Sequence, residues 1–285
     1  MPPRLLSVGL LLYWAFAAVS LISRDLLPEW TLGNPPDLRA ISRAEEGARP
    51  GRWAVQVVDD PKSPEVHRTV GQAMTEGVRR PDGSVVIASR VWFDAGGLLK
   101  GTPFDSKSET RIEVSSNYLV DPQGNLASFR ARVRSISDPE ELLDVQGVLK
   151  NRAIEITTRS PLPLLSQTRT IPYEPRGVVQ NALGPIDRLP GLQIGQRWDT
   201  RVINPLTGRA DVVRVEVTRR SMIHWNNNPV TTLEVVQHMT PLSARTWVRS
   251  DGLVLRQEVP FPFVKLVLER LPDDSGPEDA EVSPR

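Results

Sequence analysis

The sequence predicts a mainly β protein: a large curved antiparallel meander, a half-barrel or open barrel, with a Pro-rich lid or linker and one N-terminal transmembrane helix. Three observations predict it. Between Trp53 and Leu271 apolar residues recur at every second position, the period that turns one face of a strand toward a core. Clusters of Gly, Asn, Asp and Pro separate those runs, as hairpin turns require. Ahead of them Leu5 to Ile22 runs eighteen residues without a charge.

That run comes first in the chain. At about 1.5 Å per residue it spans roughly 27 Å, close to a hydrocarbon core of about 30 Å. Tyr13 and Trp14 sit at its middle, away from the interfacial belt. A cleaved signal peptide is the competing reading, with Arg4 as its basic head and Ala15-Phe16-Ala17 or Ala18-Val19-Ser20 as cleavage site. The apolar run continues past both sites to Ile22, which favours a retained anchor. Either way the rest of the chain is exported. An inverted anchor with a cytoplasmic domain is the third arrangement, and the few flanking charges decide little. A short tail before a long domain is the usual layout of an exporting signal anchor. The expectation is a membrane anchor over residues 1–25 and a domain on the periplasmic, extracytoplasmic side of a bacterial envelope.

Residues 26–52 hold Pro35-Pro36 and scattered charges and read as a juxtamembrane linker, with a helical turn around Asp37–Glu46. The β-rich domain is expected over 53–271. Alternation places Ile112, Val114 and Tyr118 on one face, then Phe129, Ala131 and Val133, then Val213, Val215 and Val217. Leu233, Val235 and Met239 follow, and Val264, Leu266 and Leu268 end the series. Pro81-Asp82-Gly83, Asp121–Asn125, Asn204–Gly208, Asn226–Pro229 and Ser250-Asp251-Gly252 supply the reversals. Ten or eleven strands are expected. Ser160–Gly195 interrupts them with six prolines, too many for a central strand, and only short helical pieces such as Val178–Leu183 fit inside it. It either lids an open face or divides two halves. The acidic residues 272–285 read as a disordered tail.

Composition narrows the function. The 285 residues carry 35 Lys and Arg against 34 Asp and Glu, for a net charge of +1, and the tail leaves +5 on residues 1–271. That is no nucleic-acid signature. The absence of cysteine removes disulfides, thiolate zinc sites and thiol nucleophiles. His67, His224 and His238 have no partner at a metal-binding spacing. No nucleophile elbow, phosphate loop or dinucleotide fingerprint occurs. Asp59-Asp60 and Glu140-Glu141 are adjacent pairs, which a strand would point to opposite faces. No cofactor or metal is expected, and no enzyme.

Two groups of side chains could bind something. Trp92, Phe104, Phe129, Trp198, Trp247, Phe261 and Phe263 are core residues or the lining of an apolar pocket for an acyl chain. Trp92 and Phe93 point to opposite faces, so both faces of their strand want cover. Arg130, Arg132 and Arg134 share a face about 7 Å apart. They form either a solvated row paired with Glu109 and Glu113 or a strip recognising anions.

The segment Thr246-Trp247-Val248-Arg249-Ser250-Asp251-Gly252-Leu253-Val254-Leu255-Arg256 resembles the W-x-x-x-x-D-G-x-x-x-R hairpin of the extracytoplasmic lipoprotein-carrier-like half-barrel superfamily. Gly191-Leu192-Gln193-Ile194-Gly195-Gln196-Arg197-Trp198 is similar to the G-L-x-x-G-x-x-W strand entry of the same proteins. A similar β-region precedes some bacterial transglutaminase-like domains. The resemblance covers residues 180–271 and the hairpin from Gly71 to Phe93. It implies an exported curved sheet, closed by short helices, that holds an apolar ligand or partner segment. The functional expectation is a non-enzymatic, membrane-anchored binding protein for a lipid, lipoprotein or other amphiphile. The alternative is a protein- or glycan-interaction module of an envelope assembly, with a hydrolase third.

Overall fold

The computed structural model describes Pro36 and residues 50–58, 67–100, 110–136, 141–173, 185–204, 209–239, 242–261 and 264–272. The expected anchor over 5–22, the helical turn at Asp37–Glu46, the helical piece Val178–Leu183, Phe104, Glu109, Phe263 and the acidic stretch from residue 273 lie outside them. Among the described residues no helix is long and apolar enough to cross a membrane.

The chain forms strands β1 (Gly51–Val58), β2 (His67–Arg79), β3 (Val85–Asp94), β4 (Arg111–Val120), β5 (Leu126–Ser135), β6 (Glu141–Lys150), β7 (Ala153–Arg159) and β8 (Gln167–Pro172). The second series is β9 (Arg197–Asn204), β10 (Arg209–Trp225), β11 (Asn228–Met239), β12 (Leu242–Arg249), β13 (Val254–Phe261) and β14 (Val264–Arg270). A short helix, α1 (Ala95–Leu99), follows β3, its first amides capped by the Asp94 carboxylate. A single 3₁₀ turn, Pro163–Leu165, separates β7 from β8.

All fourteen strands belong to one antiparallel sheet, ordered β8 through β1 and then β14 through β9. The expected meander is there, in two arms that meet at a β1·β14 seam with Trp53 opposite Arg270 and Val55 opposite Leu268. The fourteen strands among the described residues exceed the expected ten or eleven. One of the extra strands, β8, lies inside the Pro-rich interruption. It is tolerated because it is an edge strand and its Pro172 is terminal, where a missing ladder donor costs little.

The sheet is not closed between β8 and β9 in the described residues, yet it coils at both flanks. Trp225, at the tip of the β10–β11 hairpin, donates its indole N–H to the Arg270 carbonyl at 2.7 Å. A flat sheet would hold β10 and β14 roughly 19 Å apart. On the other flank the Tyr173 hydroxyl, just past β8, accepts the Leu126 N–H of β5 at 3.2 Å.

Alternation explains which face is inside. Trp53, Val55 and Val57 of β1 share a buried cluster with Ala73, Val91, Val114, Val213, Val215, Val217, Val235 and Leu268. Leu126, Phe129, Val145, Ile154, Ile156 and Tyr173 form a second, smaller cluster under the β5–β8 flank. Gly147 lies there because Phe129 occupies its side-chain space: a Cβ would stand 2.0 Å from the ring.

The two ends of the sheet differ in kind. At one end the hairpins close tightly through 80–84, 121–125, 151–152, 226–227 and 250–253, and these turns hold every described residue with positive φ except Gly191 and Gly195. At the other end the connections include α1 and the 3₁₀ turn.

Candidate functional site

The apolar face is crossed at its tight-turn end by a strap, Pro185–Leu192. Its side chains Ile186, Leu189 and Leu192 pack against the central cluster. Its backbone is pinned in a few places only. The Ile186 N–H donates to the buried Gln257 amide oxygen at 2.7 Å. The Leu189 N–H donates to the Gly252 carbonyl at 2.8 Å, and the Val254 N–H to the Asp187 carbonyl at 3.0 Å. Gly252 permits this contact twice over: its φ is +85°, and any Cβ would lie 2.8 Å from Pro190 Cα.

Asp187 carries the strap across the seam. Its carboxylate pairs with the Arg270 guanidinium of β14 and accepts from the Thr75 hydroxyl of β2 at 3.1 Å. Thr75 in turn accepts the Trp53 indole N–H at 3.2 Å, and Arg270 stands over the Trp53 ring at 5.5 Å. Arg270 has only 6% of its side chain exposed, so its charge is tolerated through this pairing and ring contact. The separations of 83 and 112 residues explain why no local sequence signal marks the group.

The polar face carries a transverse row. Arg134, Glu113, Trp92, Gln72 and Ala54 are successive partners from β5 to β1. Glu269, Arg256, Trp247, Glu234 and Arg219 continue from β14 to β10. Each half contains a Trp beside a buried Glu that arginines cover. Glu113 accepts from Trp92 Nε1 and from Arg134, both at 2.9 Å, with Arg90 at 4.0 Å. Glu234 accepts from Arg219 at 2.7 Å and has Arg245 at 3.8 Å. Burial pushes the Glu113 carboxyl up, but the hydrogen bonds from Arg134 and Trp92 outweigh it and hold it below the usual carboxylate value.

The Arg130, Arg132 and Arg134 row lies on this face and each member meets carboxylates. Arg130 grips Asp144 through two bonds of 2.8 Å. Arg132 lies between Glu141 at 3.8 Å and Asp144 at 3.9 Å, and Arg134 holds Glu113. The bond to Asp144 raises the Arg130 pKa and that to Glu113 raises the Arg134 pKa. Any external anion would have to compete with these intramolecular partners.

The expected pocket aromatics are dispersed. Trp198 is buried in the central cluster and Phe129 in the flank cluster, where Tyr118 stacks on it at 6.2 Å. Trp92 and Trp247 stand on the opposite, polar face, separated by four strands. Phe104 and Phe263 lie outside the described residues, and of Phe261 only the backbone is described. Phe93 packs on the core while Trp92 faces the arginines, so the two faces of β3 are covered by different means. The three histidines lie apart, and among the described residues no cluster of His, Asp and Glu could hold a metal ion.

The Trp247-to-Arg256 phrase acquires a physical meaning here. Trp247 and Arg256 are cross-strand partners with the guanidinium over the indole at 5.4 Å. Arg249 clamps Asp251 with bonds of 3.0 and 2.7 Å, lowering the carboxyl pKa, and Gly252 supplies the turn that docks the strap. Gly191 and Gly195 of the second phrase take φ of +73° and +83° on the approach to Trp198.

Solved structures with a similar chain course include one from a bacterium. It is a β-barrel-like protein of a domain of unknown function, DUF1849, from Brucella abortus, at 10% identity and a TM-score of 0.49, covering 78% of this chain and 94% of that one. No family model matches the chain, and no curated protein matches it significantly.

Proposed function

We propose that this protein is a non-enzymatic binding protein of the bacterial envelope, anchored through residues 5–22, whose coiled sheet acts as a half-barrel receiving the acyl chain of a lipid or lipoprotein. The strap carries this reading. The strap from Ile186 to Leu192 already lies on the concave face with Ile186, Leu189 and Leu192 against the core, held by side-chain burial, the Asp187–Arg270 pair and a few hydrogen bonds rather than by a full strand ladder. An acyl chain satisfies the same surface without needing any ladder. The buried carboxylates Glu113, Glu234 and Asp144 are each held by arginines, which fits a structural role better than acid–base work.

The test is native mass spectrometry of the full-length chain released from the membrane fraction of a bacterial host. A lipid adduct is expected, with higher occupancy in Ile186→Ser, which loosens the strap. An adduct-free mass for both proteins, after incubation with envelope lipids, sinks the reading. The alternative of a protein-interaction module draws on the two sheet edges, β8 and β9, neither of which has an outer strand partner among the described residues. Recovery of a protein partner together with an adduct-free chain would favour it.

A further inference from the structure

The strap brings a carboxylate to the concave face, and the sheet is shaped to receive it. Asp187 meets Arg270 of β14 and the Thr75 hydroxyl of β2. The third wall is Gly51 of β1, whose missing side chain leaves the room. A Cβ there would fall on the Asp187 carboxylate and the Thr75 hydroxyl. Trp53 lines the notch from below, its N–H held by Thr75 and its ring beneath Arg270. The second Asp187 oxygen faces Arg188 Nε at 4.0 Å, a group of the strap itself.

The donors of the notch therefore belong to the sheet and its anion to the strap. Arg270 is 6% exposed, stays charged at neutral pH, and pairs with no carboxylate but Asp187 among the described residues. Its neighbour Glu269 belongs to the polar face, where it stands opposite Arg256. Lifting the strap would leave a buried cation without a counter-charge, which is strongly unfavourable. A neutral acyl chain refills the space of Ile186, Leu189 and Leu192 but does nothing for Arg270. A carboxylate with its own apolar tail replaces both parts of the strap at once. The notch also limits the size of the anion. Its depth is the volume of one absent Cβ, which suits a planar carboxylate better than a bulkier phosphate.

We propose that the notch formed by Arg270, Thr75 and Gly51 is the head-group site for a long-chain carboxylate, and that Asp187 is its internal stand-in. The proposal rests on the half-barrel reading above and adds the chemical class of the ligand to it. In the strapped state Asp187 occupies the head-group position while Ile186, Leu189 and Leu192 cover the apolar face. A bound carboxylate takes over Arg270 and Thr75, and Asp187 leaves with the strap.

The test uses palmitate, hexadecanol and hexadecyl phosphate, which share one chain length and differ in head group. Full-length chain in a non-ionic detergent is titrated with each at about pH 9, where the free carboxyl is ionised, and binding is read by native mass spectrometry. The unaltered chain is expected to bind palmitate at least about tenfold tighter than hexadecanol, the worth of one hydrogen bond to a charged group. Asp187→Asn removes the competing carboxylate, so palmitate gains about a further tenfold and hexadecanol much less. Arg270→Gln abolishes the preference. Equal binding of palmitate and hexadecanol, or a preference that Asp187→Asn leaves unchanged, overturns the proposal while the half-barrel reading stands. A preference that survives in folded Arg270→Gln overturns it too, as does hexadecyl phosphate binding as tightly as palmitate. Should Arg270→Gln fail to fold, the Asp187→Asn comparison decides alone. Chains that bind none of the three probes overturn the half-barrel reading and the proposal together.

Discussion

Trp92 shows how much one side chain on the polar face of this sheet does. Its ring lies under Arg90 at 5.8 Å and its N–H completes the shell of Glu113. Replacing it by Phe keeps the ring and removes the donor, at a cost of about 2 kcal/mol for a hydrogen bond to a charged group. The pH dependence follows with a definite sign. The folded-state pKa of Glu113 lies below its unfolded value, so its contribution is complete above the unfolded pKa and is lost as pH falls through the folded one. Trp92→Phe brings the two values closer, lowering the neutral-pH stability and flattening the acid limb. Denaturant midpoints measured from neutral pH down to about pH 3 check this. Two profiles that differ only by a constant offset would show that the indole N–H is not coupled to Glu113.

Among the elements, the strap has the largest consequence for its few contacts. Gly252→Ala places a Cβ against Pro190 and forces an alanine to adopt a φ of +85°, at a cost of about 1–3 kcal/mol. Hydrogen exchange then accelerates at the Leu189 and Val254 amides, which bond strap to sheet, more than at Val235 in the strand ladder. Uniform acceleration across the sheet would mean that the glycine supports the hairpin alone. Individual strands were the legible part of this architecture. Period-two alternation marked Arg111–Tyr118, Ser128–Arg134 and Val264–Arg270, because each has a dry and a wet face. The strap was not legible: Pro185 to Leu192 has no period, and its partners Gln257, Arg270 and Thr75 are remote in sequence. The aromatic set misleads for a related reason. A Trp such as Trp247 is expected inside, yet Arg256 and the register with Glu234 cover it on the polar face. Arg130 to Arg134 were readable as a row, and Glu113 as a partner, but Asp144 was not, since its register depends on a bulge between Val133 and Arg134.

At the scale of the whole molecule, the seam decides how stability is distributed. β1 and β14 are joined across more than two hundred residues of chain, yet they lie within the central core: Val55 faces Leu268, Val57 faces Leu266, and Trp53 stands opposite Arg270. Both arms, the Asp187–Arg270 pair and the strap converge there. Outward from the seam the support thins, to the smaller cluster under β5–β8 on one side and to an edge at β9 on the other. Edge strands hold one ladder instead of two and open at lower free energy than central ones. Native-state hydrogen exchange is therefore expected to grade across the sheet, with the slowest amides on β1 and β14 and the fastest ladder amides on β8. Leu268→Ala, which removes about 2–5 kcal/mol of packing at the seam, lowers the protection of both arms together, because the central cluster it belongs to takes residues from both. If β5–β8 keeps its protection in that variant, the flank cluster folds as a unit of its own. The seam would then join two separable bodies rather than organise one.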